Sequence, residues 1–397
     1  MILIIIGIAV RTDAETYTHN IAGFISQGFI YTDDNNYYTD TTKGSFQFNE
    51  IGININKRIS PKMKAGIQLL SYTIGDVGKN DIEVDWGFAD YSYNRYLNLR
   101  AGILKAPLGL YNETRDVDSS MLYIFLPSSV YQTNFRDTVL RLTGVGLYGE
   151  LSTGIAGDFN YQFLSGKLDL DENSATAKSM YSTYKYEINV EDLNVKTDYI
   201  FNIKWYLPVE GLLFSWVYRD SEMNAISSYT YGNNQIKFEM KLPQIIYQTF
   251  SLKYETKSLI LNYELFDLKT TYIHPYTAII NPSAQNKQTT KRMGWYADVQ
   301  FIVTQMIQIG GYYSKIYGDI HDKKGLSDDF DPNFSAWQED ICFSIRMDMT
   351  DSWIFKTEIH KMNGTMALIK SDHVDTSGKL NQKEDWMLFA AKLSYLF

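Results

Sequence analysis

Apolar and polar residues alternate along most of this chain, in segments of about ten residues that begin near residue 17 and recur to its end. Alternation with a period of two places successive side chains on opposite faces of a β-strand. The segment "DWMLFAAKLSYLF", residues 385–397, shows the pattern, since Met387, Phe389, Leu393 and Phe397 share one face. A strand with one face this apolar needs cover from another element or from lipid.

About sixteen segments alternate in this way. In the segment "DIEVDWGFADY", Ile82, Val84, Trp86 and Phe88 are predicted to form the apolar face. Two further clear segments are "YIFNIKWYL" from residue 199 and "SLILNYELF" from residue 258. The opposite face carries charge in one segment after another, at Arg100, Asp158, Arg219, Lys253, Asp298, Arg346, Asp348, Lys356 and Glu358.

The connections between these segments alternate in length. Short turns are predicted at residues 60–61, 94–95, 152–155, 208–211, 255–258, 303–306 and 349–352. Long polar loops are predicted near residues 31–44, 73–80, 105–138, 165–195, 220–243, 270–290, 319–336 and 364–384. This rhythm is typical of outer-membrane barrels, whose periplasmic turns are short and whose extracellular loops are long.

Lipid explains why one face is apolar in every segment. In hydrocarbon each backbone N–H and C=O must be satisfied internally, so strands span a membrane only as a closed cylinder. A cylinder of about sixteen strands is wide enough to hold an aqueous lumen, which accepts the charged face. The sequence therefore predicts an all-β fold, a closed antiparallel transmembrane β-barrel of about sixteen strands. The alternative is a large soluble β protein, which would need a dry interior for the apolar faces.

Proline positions are a further check on the strand boundaries. Proline cannot donate a ladder hydrogen bond, so it is excluded from central strands. We expect all eight prolines in turns or loops: Pro61, Pro107, Pro127, Pro208, Pro243, Pro275, Pro282 and Pro332.

Composition narrows the function classes. Aromatic residues make up 15% of the chain, a content that favours strands. The net charge of −9, without a cluster of Lys and Arg, argues against a nucleic-acid partner. The single cysteine, Cys342, excludes an intrachain disulfide and is predicted to be a buried thiol on a strand.

The apolar run "ILIIIGIAV", residues 2–10, is too short for a transmembrane helix, which needs about 20 residues. Its length is typical of the apolar region of a secretory signal, although no basic segment precedes it. We expect residues 1–14 to be a signal peptide, truncated at its start, and residues 15–397 to form one barrel domain. A first buried strand is the alternative for this run.

One loop differs from the others. "KAPLGLYNETRDVDSSMLYIFLPSSVYQTNFRDT", residues 105–138, is the longest predicted loop and the third in order. A loop exposed to solvent would not need an apolar core, so this one is predicted to pack against protein. Its apolar residues are Leu110, Tyr111, Met121, Leu122, Tyr123, Ile124, Phe125 and Leu126.

Two features resemble the sixteen-stranded porins of Gram-negative outer membranes. One is the terminal Phe397 with its alternating partners; the other is "RAGILKAPLGLYNE", residues 100–113, which is similar to the strand-to-loop region of phosphate-selective and related substrate-selective porins. In architecture the resemblance covers nearly the whole chain. It implies that the third loop folds into the barrel and narrows the channel.

The resemblance also implies a function. It implies passive diffusion of small hydrophilic solutes or ions through a water-filled channel, without a cofactor. The implied setting is the bacterial outer membrane, with lipid and lipopolysaccharide as neighbours, a homotrimer as the assembly and Phe397 as an assembly signal. The lumen face mixes acids with bases, which departs from the arginine ladder and lysine cluster of the phosphate-selective type.

In porins, acids on the constriction loop face bases on the wall and set a transverse field that sorts solutes by size and charge. The loop residues expected to act in this way are Glu113, Arg115, Asp116 and Asp118. The expected wall residues are Arg100, Arg219, Glu264, Asp298, Arg346, Lys356, Glu358 and Lys392.

The predicted extracellular mouth is acidic, which we expect to favour cations. Its acids are Asp169, Asp171, Glu172, Asp319, Asp322, Asp328, Asp329, Asp331, Asp372 and Asp375. Within this set, "SDDFDP" from residue 327 has the carboxylates to bind a divalent ion that bridges to lipopolysaccharide. It lacks the glycine and glutamate of an EF-hand loop, so solvated acids are the favoured interpretation and no metal site is predicted.

Catalysis has little support in the sequence. The histidines are scattered, and apart from His19 at the edge of the first strand only His360 lies in a predicted strand, on the lumen side. Known barrel enzymes also use fewer strands, so we expect no enzyme activity. The alternative function is a receptor or adhesin that binds a partner through its long loops.

Overall fold

The computed structural model describes most of the chain as one closed barrel. The described residues are 19–75, 77–78, 80–172, 174–181, 188–231, 234–273, 287–327, 331–373 and 380–397. Within them, sixteen antiparallel strands pair in chain order, which confirms the predicted fold class. The predicted signal peptide, residues 1–14, lies outside the described residues. The strands are β1 (His19–Thr32), β2 (Phe48–Ser60), β3 (Met63–Ile74), β4 (Glu83–Ser92), β5 (Asn98–Lys105), β6 (Arg141–Ser152), β7 (Asp158–Leu170), β8 (Ile188–Tyr206), β9 (Leu212–Tyr231), β10 (Asn234–Glu255), β11 (Leu259–Ile273), β12 (Lys287–Ile302), β13 (Ile307–Tyr317), β14 (Trp337–Asp348), β15 (Trp353–Gly364) and β16 (Asp385–Leu396).

The first and last strands close the cylinder. β1 pairs with β16 in antiparallel register, with Phe24 opposite Leu396. At the end of this seam, Gly23 and Phe397 exchange two backbone hydrogen bonds of 2.9 and 3.0 Å. Closure leaves no unpaired strand edge, which is the condition for a sheet to cross hydrocarbon.

The outer face of the barrel is apolar and exposed. Ile21 and Val145 are 62% and 60% exposed, while lumen-facing Lys356 is 1% exposed. This distribution is the reverse of a soluble β protein, so that alternative is wrong. The outer faces predicted for the segments from residues 199 and 258 are confirmed by exposed Tyr199 and Tyr263.

The prediction of which β4 side chains face lipid is wrong in part. The pairing of β3 with β4 shifts by one residue between Gln68 and the next position, because Asp85 is inserted as a β-bulge. The bulge reverses the alternation, so Trp86 and Phe88 face the lumen instead of lipid. Trp86 Nε1 accordingly donates a 3.0 Å hydrogen bond to the buried Gln68 side chain.

The long loop predicted at residues 220–243 is also wrong. β9 and β10 continue through it as a hairpin, and β9 alone has 20 residues. A strand of that length spans about 66 Å, more than twice the roughly 30 Å of a hydrocarbon core. Pro243 therefore lies within β10 and not in a loop as expected. Register shifts in the pairings of β10 with both neighbouring strands mark a bulge there, which tolerates the missing N–H of proline.

Helical structure is confined to the connections. The α-helices are α1 (Arg136–Val139) and α2 (Ala175–Tyr181), and 3₁₀ turns occupy Thr41–Lys43, Asp118–Ser120, Thr133–Phe135, Gly154–Ala156, Asn333–Ala336 and Lys370–His373. Within the described part of the chain, no helix has the length and apolarity needed to cross a membrane.

Candidate functional site in the barrel lumen

Loop 3, defined here as residues 106–140 between β5 and β6, folds into the barrel as the sequence predicted. Its apolar core is buried, with Leu122 fully inaccessible and Tyr123 1% exposed. The loop contributes to three apolar clusters that also include side chains from the inner wall. Polar side chains attach it at two separate regions of the wall.

Asp118 attaches loop 3 to the seam of the barrel. Its carboxylate lies 3.1 Å from Lys356 Nζ on β15 and 2.9 Å from Lys392 Nζ on β16. Ser26 Oγ on β1 and Ser394 Oγ on β16 donate to the same carboxylate at 3.1 and 2.5 Å. Burial raises the pKa of Asp118, but the two ammonium groups outweigh it and hold the pKa well below its usual range.

Glu264 attaches the loop to β11, five strands around the barrel from β16. Its carboxylate accepts hydrogen bonds from Leu110 N at 2.9 Å, from Ser251 Oγ at 2.5 Å and from Tyr296 OH at 2.7 Å. Tyr131 of loop 3 donates to the same group. Burial and the nearby Glu264 charge raise the pKa of Tyr131 well above its usual value, so its hydroxyl stays a donor.

A glycine allows the loop to pass this close to the wall. Gly109 has a φ of +72°, a left-handed conformation that other residues rarely adopt. A Cβ at this position would lie 2.6 Å from Tyr131 OH and 2.9 Å from Glu264 Oε1. Glycine is therefore required both by the backbone conformation and by the space around it.

Backbone groups of loop 3 are also bound by the wall on the seam side. Glu358 Oε1 and Oε2 on β15 accept from Ile124 N at 2.6 Å and from Phe125 N at 3.1 Å. Arg346 Nη1 on β14 donates to the carbonyls of Ser119 at 2.8 Å and Met121 at 3.3 Å. These contacts satisfy backbone groups that the irregular loop would otherwise leave unpaired inside the barrel.

A second buried charge cluster lies where loop 3 leaves β5. Asp116 pairs with Lys105 Nζ at 2.5 Å and with the Arg136 guanidinium. Burial raises the pKa of Asp116, but Arg136 and Lys105 hold it well below its usual range. Burial lowers the pKa of the adjacent Arg115 to about 10, with the Arg136 charge acting in the same direction. Arg115 Nη1 has no hydrogen-bond partner among the described residues.

The other predicted site residues each have a local partner. Glu113 lies 3.5 Å from Lys204, Arg100 donates to Asp90 at 2.7 Å, and Arg219 forms a bidentate pair with Asp198 at 2.8 Å. Asp298 accepts from Asn262 at 2.9 Å, Arg346 also pairs with Asp348, and Lys392 also pairs with Glu50. Most of the charges on loop and wall are therefore compensated by an ion pair, whereas Asp298 and Glu264 accept hydrogen bonds from neutral groups. The role of these charges as a transverse field stays a prediction.

The described acids of the mouth are partly paired as well. Asp331 pairs with Lys370, and Asp322 accepts backbone hydrogen bonds from Leu326 and Ser327. Asp328, Asp329 and Asp375 lie outside the described residues, and so does half of the segment "SDDFDP", residues 327–332.

Two cavities flank loop 3. One, of about 280 Å³, is lined by Arg100, Lys105, Glu113 and Asp116 together with Trp86 and Phe88. The other, of about 250 Å³, lies against β8–β12 and is lined by Asn112, Tyr131, Arg219 and Arg292 with many apolar side chains. Adjacent residues of loop 3, Asn112 and Glu113, thus face different cavities, so the loop separates them.

Comparison with known proteins identifies the fold. No protein-family model and no curated protein matches the sequence. Solved structures do match: the loop L8 deletion mutant of OmpT, an outer membrane protein of Vibrio cholerae, has a TM-score of 0.59 at 8% identity, over 96% of this chain and 99% of that chain. The chain has the fold of the sixteen-stranded outer-membrane porins.

Two further porin structures show the same likeness. The anion-selective porin from Comamonas acidovorans matches with a TM-score of 0.58 at 10% identity, over 96% of this chain and 100% of that chain. OmpF of Salmonella typhi, in complex with daunomycin, matches with a TM-score of 0.58 at 12% identity, over 96% and 97% of the two chains. The predicted resemblance is confirmed at the level of the fold.

Several residues that build the site in this porin fold escaped the sequence analysis. The bulged Asp85 binds Lys105 at 2.7 Å, and Asp90, Asp198 and Glu50 pair with the predicted wall bases. All four are acids in alternating segments, but alternation does not show which base each one faces. The signal that identifies them is strand register, which the sequence gives only where a short turn fixes a hairpin.

Proposed function

We propose that this protein forms a narrow channel in the outer membrane, through which small hydrophilic solutes or ions diffuse passively without catalysis. The observation that carries the proposal is the pair of cavities on the two sides of loop 3, inside a closed barrel with a charged inner wall. The loop is thin where it separates them, since consecutive residues, Asn112 and Glu113, line the two cavities.

Both cavities carry charged side chains that suit polar solutes, and the second is otherwise lined mainly by apolar side chains. Lys105 and Arg100 lie beside Asp116 and Glu113 in one cavity, and Arg219 and Arg292 line the other. Fixed charges of both signs at a constriction select solutes by charge and dipole as well as by size. Because the two signs are mixed, ion preference has to be measured.

Planar-bilayer recording of the purified full-length protein tests the proposal. We expect discrete conductance steps, and the reversal potential in a salt gradient gives the ion preference. Glu113→Lys changes a partly exposed cavity charge by two units, so it should move the reversal potential toward anion preference. Asp40→Lys makes the same charge change in the exposed loop between β1 and β2, outside both cavities. It should move the reversal potential much less.

Two results would contradict the channel. One is electrical silence from protein that is folded and inserted. The other is an equal shift of the reversal potential in both variants, which would show that ions do not pass through the cavity that Glu113 lines. If conductance steps are recorded, candidate sugars and organic acids added as blockers would identify the class of solute that enters the channel.

A receptor or adhesin is the second candidate function, and the long β9–β10 hairpin favours it. The hairpin continues the sheet well beyond the length needed to cross lipid, and it offers a surface to a partner. Silence in the bilayer assay would support this candidate. The homotrimer, the contact with lipopolysaccharide and the assembly role of Phe397 stay predictions.

A further inference from the structure

A cluster of potential metal ligands lies on the lumen side of β14 and β15. Cys342 and His360 are directly opposite each other in the strand register. Asp340 and Glu358 each lie two positions earlier on the same face of their strands. All four side chains are at most 3% exposed.

The donor atoms of three of these residues are arranged around one point. His360 Nε2 lies 3.2 Å from Glu358 Oε2 and 3.8 Å from Cys342 Sγ, and the three donor atoms lie within 4.8 Å of one another. Ligands on one tetrahedral zinc ion are about 3.3 Å apart for oxygen and nitrogen and about 3.6 Å apart for nitrogen and sulfur. The observed spacings are close to both values.

Asp340 supplies a second, independent observation. Its carboxylate oxygens lie 3.1 and 3.2 Å from His360 Nδ1, on the other side of the ring, and it also accepts from Tyr312 OH at 2.8 Å. A carboxylate on Nδ1 keeps the proton there, so the Nε2 lone pair points toward Glu358 and Cys342. This is the carboxylate–histidine–metal arrangement of protein zinc sites.

We propose that Cys342 Sγ, Glu358 Oε2 and His360 Nε2 bind one Zn²⁺ ion, with Asp340 as a positioning residue. The competing state is an imidazolium between the Asp340 and Glu358 carboxylates, with a neutral thiol. Zinc binding from that state releases two protons, one from Nε2 and one from the thiol, so it strengthens as pH rises. The negative charges of the Cys342 thiolate and the Glu358 carboxylate compensate the charge of the bound ion.

Such a site would connect the wall to loop 3. Glu358 accepts from the backbone N–H groups of Ile124 and Phe125, so a ligand to the metal also binds the loop. The ion would fix two wall strands beneath the loop at a point where the barrel interior is closed to solvent.

Metal analysis of the full-length protein tests the site. Protein refolded in detergent with Zn²⁺ and then dialysed should retain one equivalent of zinc. Cys342→Ser and His360→Gln should each lower the retained zinc at least about tenfold. His321→Gln, in an exposed loop, is the matched control and should retain as much zinc as the wild type.

Two more measurements separate a ligand role from a structural one. Co²⁺ in place of Zn²⁺ should give the absorption band of a cobalt–thiolate bond, and this band should vanish in Cys342→Ser. Asp340→Asn should weaken zinc affinity about 10- to 100-fold while keeping the cobalt band at saturation. Either of two results would overturn the proposal and leave the imidazolium state. One is that the wild-type protein retains no more zinc than the Cys342→Ser and His360→Gln variants; the other is that the folded wild-type protein shows no cobalt–thiolate band.

Discussion

Two of the buried carboxylates that hold loop 3, Asp118 and Glu264, differ in their surroundings. Asp118 on the loop faces two lysines and two serines of the barrel seam. Glu264 on β11 accepts only from neutral groups, namely one backbone N–H and three hydroxyls. Among the described residues, Glu264 has no lysine or arginine within ion-pair distance.

The difference predicts how each attachment fails. When one partner of a buried ion pair is removed, the opposite charge stays buried and uncompensated. When a carboxylate bound by hydroxyls is replaced by an amide, the hydroxyls can rotate and accept instead of donating. The seam attachment should therefore be sensitive to the loss of charge, and the attachment at Glu264 should tolerate it.

The largest effect is expected from Asp118→Ala. The substitution leaves Lys356, in a fully buried position, with only the Tyr123 carbonyl at 3.2 Å as a partner among the described residues. We expect the free energy of unfolding to fall by about 3–5 kcal/mol, measured by denaturant unfolding of the detergent-solubilised barrel. Asp40→Ala, which removes an exposed acid from a surface pair, should leave the free energy of unfolding nearly unchanged.

A double variant sharpens this prediction. Asp118→Ala with Lys356→Met removes the orphaned charge, while Lys392 keeps its pairing with Glu50. The double variant should therefore be more stable than Asp118→Ala alone, a strong departure from additivity. Additive losses would show that the cost of the first substitution is lost packing and not an uncompensated lysine.

The strand pattern was predictable because it is local. Alternation predicted about sixteen strands, and the need to satisfy every backbone group in lipid predicted that they close into a cylinder. It failed at Asp85, since a single inserted residue reverses the faces without any local sign in the sequence. The alternation pattern also failed over residues 220–243, because strand segments beyond the lipid need no apolar face and so do not alternate apolar with polar residues.

The site was predictable as a set of residues but not as contacts. The charged residues of loop and wall followed from their positions on the lumen face. Their pairings join residues far apart in the chain, such as Asp118 with Lys356 and Lys392, and only the register and shear of the closed barrel bring them together. Cys342 and His360 are a partial exception, since the short turn at 349–352 sets their register.

Acid should weaken the seam attachment by a smaller amount than the substitution to alanine. The pKa of Asp118 is depressed in the folded protein, so its charge stabilises the fold fully above the unfolded pKa of about 3.9 and this contribution is lost as pH falls toward the folded pKa. The stability difference between wild type and Asp118→Asn should be constant from pH 7 to 5 and shrink below about pH 4. A difference that does not change with pH would contradict the ion-pair account.

Glu264→Gln should give the smallest effect. Its remaining oxygen can keep the bonds that Leu110 N and Ser251 Oγ donate to Oε1, and its amide nitrogen, in the place of Oε2, can donate to the hydroxyls of Tyr131 and Tyr296 after they rotate. We expect a loss of at most about 1 kcal/mol in the free energy of unfolding and an unchanged single-channel conductance. Asp118→Asn is the matched amide substitution at the seam, and it should cost more because two lysines lose their shared counter-charge. Equal losses in the two variants would show that the cations around Asp118 add nothing to its hold on loop 3.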